Sequence, residues 1–163
     1  MELKKKIVKM AKVCHIIAKV LYCIAFAVCL VLIALAIALP VTNTTGELTA
    51  AETAVMFGTL AFYSFMCVGL LWNVEGLFKY VAKEQSPFSE RVSHYLKKIA
   101  LFILLLSLVP ALLGSILLKA ICPATELTFP IELGGIVAGI VLFVIGLFFE
   151  YGNELQKSDD ETL

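Results

Sequence analysis

The chain has 163 residues, of which 61 % are hydrophobic and only 16 % charged, with thirteen basic residues balanced by thirteen acidic ones. So apolar a composition excludes an ordinary water-soluble domain. The zero net charge conceals an uneven distribution, because the basic residues gather in two short segments.

The first of these, with Lys4, Lys5, Lys6, Lys9 and Lys12, leads into an apolar run from Ile16 to Leu39. That run is longer than the hydrophobic region of a signal peptide and three more like it follow, so it reads as a retained anchor. The loop from Pro40 to Glu52 is polar, turn-rich and free of Lys and Arg. Its Asn43-Thr44-Thr45 matches a glycosylation sequon, a short pattern frequent by chance, and no function is assigned to it.

A second apolar run covers Thr53 to Val74 and closes on Trp72, Asn73 and Glu75. Residues Glu75 to Lys83 can carry its helix beyond the membrane. The Gln85-Ser86-Pro87-Phe88-Ser89-Glu90 segment then breaks it, with Ser86 as the expected N-cap and Pro87 at the first position of the next helix. A basic amphipathic stretch from Arg91 to Lys98 opens the third run, Ile99 to Leu118, which Pro110 is expected to kink. The fourth run, Ile131 to Phe149, continues into Glu150, Tyr151, Asn153 and Glu154 and a tail over 150–163.

Each run reaches or nearly reaches the ~20 residues that a helix needs to cross ~30 Å of hydrocarbon. Helices are required, because backbone amides in lipid must bond within their own segment, and no alternating barrel pattern is present. The expected fold is therefore all-α and integral to a membrane, a four-transmembrane-helix bundle forming one domain. Eleven of the thirteen basic residues lie in the N-terminal segment or the loop over 75–98, and Lys157 makes twelve. That side reads as cytoplasmic, so both termini should be cytoplasmic.

A shift of 79 residues aligns Lys4 with Lys83, Lys12 with Arg91, His15 with His94, Lys19 with Lys98, Glu47-Leu48-Thr49 with Glu126-Leu127-Thr128, and Glu75 with Glu154. The polar matches suggest an internal repeat of two helical hairpins in the same orientation, related by an axis along the membrane normal.

Candidate site residues are few. His15, Lys19, Glu75, His94, Lys98 and Glu150 form a polar cluster at the cytoplasmic edge, with the acidic groups expected to pair with Lys19, Lys97 or Lys98. The two histidines read as interfacial side chains, or alternatively as titrating or metal-binding groups that lack a third ligand. The middle of every run is free of ionisable groups, which argues against a pump or coupled transporter. Gly58 and Gly69, with Gly135, Gly139 and Gly146, suit helix packing, or a homo-oligomer contact. The five cysteines imply no disulfide framework, and only Cys122 faces the non-cytoplasmic side where an intermolecular bridge is conceivable.

Gly76-Leu77-Phe78-Lys79, the Ser86-Pro87-Phe88-Ser89-Glu90 turn and the ending Phe-Glu-Tyr-Gly-Asn-Glu-Leu-Gln over 149–156 resemble the YoaS-like bacterial membrane proteins, a family of unknown function. The likeness covers essentially the whole chain. The closing Asp159-Asp160-Glu161-Thr162-Leu163 departs from the family's fuller ending. The resemblance implies four spans and a genetic pairing with a cytoplasmic helix-turn-helix regulator of the Cro/C1 type. Phe78, Pro87, Phe88, Glu90, Arg91, Glu154 and Gln156 are then the candidate docking surface. Three functions are open on these grounds: a non-enzymatic membrane sensor or anchor in a bacterial or archaeal cell membrane, a small transporter or channel subunit, and a membrane enzyme built on His15, His94, Glu75 and Glu154. Direct nucleic-acid binding is not expected, nor any cofactor.

Overall fold

The apolar runs and the helix-favouring residues flanking them produce four helices, each longer than its hydrophobic run: α1 (Glu2–Thr42), α2 (Ala50–Glu84), α3 (Glu90–Ile121) and α4 (Leu133–Glu161). The computed structural model describes residues 2–42, 49–84, 89–123, 126 and 128–161. All four helices are long and apolar enough to cross a membrane. The contacts of His15 with Glu75, Gly76 with Tyr95 and Lys97 with Glu150 place the early part of α1, the late part of α2, the start of α3 and the late part of α4 at one end, here called the basic end, opposite the far end.

Local capping sets two helix starts. At α2, the Thr49 hydroxyl accepts from the Glu52 N–H at 3.2 Å while the Thr49 N–H and hydroxyl each donate to the Glu52 carboxylate at 2.9 Å. This reciprocal arrangement satisfies donors that the first helical turn leaves unpaired. At α3 the cap is Ser89, whose hydroxyl accepts from the Val92 N–H at 3.4 Å. The expected cap at Ser86 is thus corrected by three residues: Glu90 is the first helical residue, and Ser86 and Pro87 lie outside the described residues. The third helix runs unbroken through Pro110. The α4 helix carries on without a break past the apolar run, to Glu161.

Each helix packs on its neighbour in the chain, α1 on α2, α2 on α3 and α3 on α4. Among the described residues α1 rests on α2 alone, so most of its apolar surface stays uncovered, including Ile16, Ile17, Ile24 and Val31. A surface of that kind is solvated by acyl chains and not by water.

The interhelical contacts use small residues. Across α1 and α2, Ala11, Ala18, Cys29 and Ala61 are buried, the Ser64 hydroxyl donates to the Ala25 carbonyl at 3.4 Å, and Tyr22 meets Trp72 edge to face at 5.6 Å. On α2, a Cβ at Gly69 would stand 2.7 Å from the Phe102 ring of α3. Between α3 and α4 the approach is closest. A Cβ at Gly139 would lie 2.7 Å from Leu104 and 3.2 Å from the Ala100 carbonyl oxygen, one at Gly146 would meet Lys97, and one at Gly135 would collide with the Ser107 hydroxyl. The Ser93 hydroxyl donates to the Gly146 carbonyl at 2.8 Å. Four of the five expected packing glycines therefore sit in helix contacts; Gly58 does not, since its Cβ position is open.

These pairs also fix the register of α4. Gly135 lies against Ser107, near the middle of α3, and fourteen residues separate Ser107 from the end of α3 at Ile121. At the helical rise Gly135 lies about 21 Å below that end, and α4, beginning two residues earlier at Leu133, starts about 18 Å below it. The chain returns to this depth along α3: Phe129 packs over Gly114 and its N–H donates to the Ser115 hydroxyl at 3.2 Å.

Replacing Gly139 with Val should push α4 from the backbone of α3 and cost about 1–3 kcal/mol, read as a lower unfolding temperature in detergent. Gly58→Ala should leave that temperature unchanged or raise it, since nothing opposes a methyl group there and Ala is the better helix former.

Candidate functional site at the basic end

The polar side chains of the basic end fall into two separate groups. On the first hairpin, His15 of α1 places its Nδ1 3.4 Å from a carboxylate oxygen of Glu75 of α2. That nitrogen is buried and makes no hydrogen bond, so the contact is one of proximity. Lys19 stands exposed beside it on α1.

On the second hairpin, the Lys97 ammonium donates to both carboxylate oxygens of Glu150, at 2.8 and 2.9 Å. Of the three lysines expected to pair with the acidic cluster, Lys97 is the one that does so here, and Lys98 is exposed. Glu90, Arg91, His94, Lys97 and Glu150 line an open groove of about 430 Å³. Arg91 also lies over the Tyr80 ring of α2, 5.6 Å from its centroid, which ties α3 to the end of α2. The groove thus mixes cations and carboxylates on rigid helical positions.

His15 and His94, equivalent under the 79-residue shift, consequently meet different surroundings. His15 abuts Glu75, whereas His94 shares the groove with Lys97 and Glu150. The cause is position in the bundle: α3 packs on helices at both sides, and α1 on one.

The expected docking residues are spread over three places. Glu90 and Arg91 line the groove; Glu154 and Gln156 are exposed on the continuation of α4; Pro87 and Phe88 lie outside the described residues. Phe78 is half-buried and helps to line a nearly all-apolar cavity of about 340 Å³, into which α1 brings Met10 and Cys14, α3 Leu96 and α4 Phe149. Cys122 caps α3, its N–H donating to the Leu118 carbonyl at 2.7 Å, and is half-buried. Among the described residues, no three His, Cys, Asp or Glu side chains converge as a metal site requires.

Reading apolar runs alone overlooked one charged residue. Glu132 immediately precedes α4, and the register of that helix sets it beside the middle of α3, where the sequence had indicated no ionisable group. The signal that could have found it is the run Phe129-Pro130-Ile131-Glu132, in which apolar residues precede a carboxylate.

Removing the buried Ser93 hydroxyl, as Ser93→Ala, should cost about 1 kcal/mol by leaving no donor against Gly146. Lys97→Met should cost less than about 1 kcal/mol, since that ion pair is substantially exposed. Comparing the two unfolding temperatures with the parent chain checks the order.

Comparison with protein-family models, with curated proteins and with solved structures finds no match for this chain.

Proposed function

We propose that the protein is a non-enzymatic membrane sensor or anchor with both termini in the cytoplasm of a bacterial or archaeal cell, holding a cytoplasmic regulator at the membrane through its basic end. The concentration of Lys and Arg in the N-terminal segment and the residue 75–98 region supports that orientation. The observation that carries the reading is the groove of Glu90, Arg91, His94, Lys97 and Glu150 beside the helical extension bearing Glu154 and Gln156. Anionic headgroups would be drawn to a uniformly basic surface. Carboxylates interleaved with cations instead suit a protein face that carries both signs, where charge placement sets partner choice. The likeness to YoaS-like proteins supports a helix-turn-helix regulator of the Cro/C1 type as that partner, with DNA contacted by the regulator alone.

Charge reversal in the groove tests this. Arg91→Glu should release the regulator from the membrane fraction and change transcription from its promoter, with the chain's helicity intact and its unfolding temperature lowered only by the loss of the Tyr80 contact. Unchanged retention and unchanged transcription with Arg91→Glu and with Glu150→Lys would sink the reading.

A second reading, a small transporter or channel subunit, draws on the depth of Glu132. It requires flux from proteoliposomes above that of empty vesicles.

A further inference from the structure

A second cavity, of about 290 Å³, lies between α2, α3 and the chain segment entering α4. Its polar lining is Thr59 and Tyr63 of α2, Ser107 of α3 and Glu132. Ser107 is fourteen residues below the far end of α3, so the cavity reaches the depth at which α4 begins, well within the apolar spans. The nearest basic residues along α3 are Lys119, twelve residues above Ser107, and Lys98 and Lys97, nine and ten below it, about 18, 14 and 15 Å away along the axis. Lys97 is already engaged with Glu150. Among the described residues Glu132 has no basic partner.

Glu132 lines this cavity and is itself exposed at the bundle surface, beside apolar spans. Hydrocarbon does not solvate a carboxylate, so a cation in the cavity would suit it. The start of α4 lies beside it. The Ile136 N–H bonds the Glu132 carbonyl at 3.3 Å, which makes Glu132 the residue at the positive end of the helix dipole. The remaining lining favours a donor ligand. Pro110 has no N–H to offer the Leu106 carbonyl, and both residues line the cavity, so an acceptor is freed in its wall. The Tyr63 and Phe129 rings also line it and offer π-faces of the kind that attract ammonium groups.

We infer that this cavity binds a small amphipathic amine in its ammonium form, the charge on Glu132 and the apolar body against Leu106, Pro110 and Phe129. A bare metal ion suits the lining less well, because one carboxylate among neutral hydroxyls is a sparse oxygen set for a hard cation. The volume, near the lower end for ligand pockets, limits the ligand to about one ring with a short side chain. This site is independent of the docking groove at the basic end, and its test does not involve a cytoplasmic partner.

The experiment is equilibrium titration of the full chain in nanodiscs of neutral lipid, with phenethylammonium and its neutral counterpart 2-phenylethanol, each corrected for binding to empty nanodiscs. The expected result is binding of the amine at least about tenfold tighter than of the alcohol, from the charge-assisted hydrogen bond. Glu132→Gln should abolish that preference. Ala111→Leu narrows the cavity from α3 without touching the carboxylate and should weaken both ligands. Should Glu132→Gln fail to fold, the amine–alcohol comparison in the parent chain and the Ala111→Leu result decide. Equal affinity for the two ligands, an undiminished preference in a folded Glu132→Gln chain, or no amine binding to the parent chain at millimolar concentration would each overturn the assignment.

Discussion

The close approach of α3 and α4 governs the rest of the molecule. Lipid tails are as apolar as leucine, so two helices in a bilayer gain little by burying hydrophobic side chains and associate through backbone proximity, van der Waals contact and interhelical hydrogen bonds. Gly135, Gly139 and Gly146 remove the side chains that would hold α4 away, and Ser107, Leu104 and Lys97 fill the space they leave. Their spacing of four and seven keeps them near one helix face, which locks the register as well as the distance. That register then decides where α4 starts and how deep Glu132 lies.

The remaining architecture follows from the same solvent. Backbone groups are satisfied within long helices, and where the chain is not helical at depth, as around Phe129, it is held against α3 by packing and by the Ser115 hydroxyl. The surface α1 leaves uncovered is of the kind that lipid accepts. The sequential packing of α1 to α4 yields two chemically different polar regions: a mixed-charge groove where helices leave the membrane, and a single carboxylate in a largely apolar recess inside it. The first is built of long side chains that reach toward water.

Much of this was legible in the amino-acid sequence. Four apolar runs of spanning length determined four helices, and the glycines of the fourth run announced a close-packed face, because composition and period are local properties that a bilayer reads residue by residue. The pairing of Glu150 with Lys97 was within the range that charge placement allowed. Only the tertiary structure decided that Ser89 and not Ser86 caps α3, that Gly58 packs against nothing, that His15 and His94 have different neighbours, and that Glu132 lies at the depth of Ser107. The physical reason is common to the last three: they depend on the register of one helix against another. Interhelical register arises from contacts between residues distant in the chain, such as Gly135 with Ser107, and no pattern within a single segment encodes it.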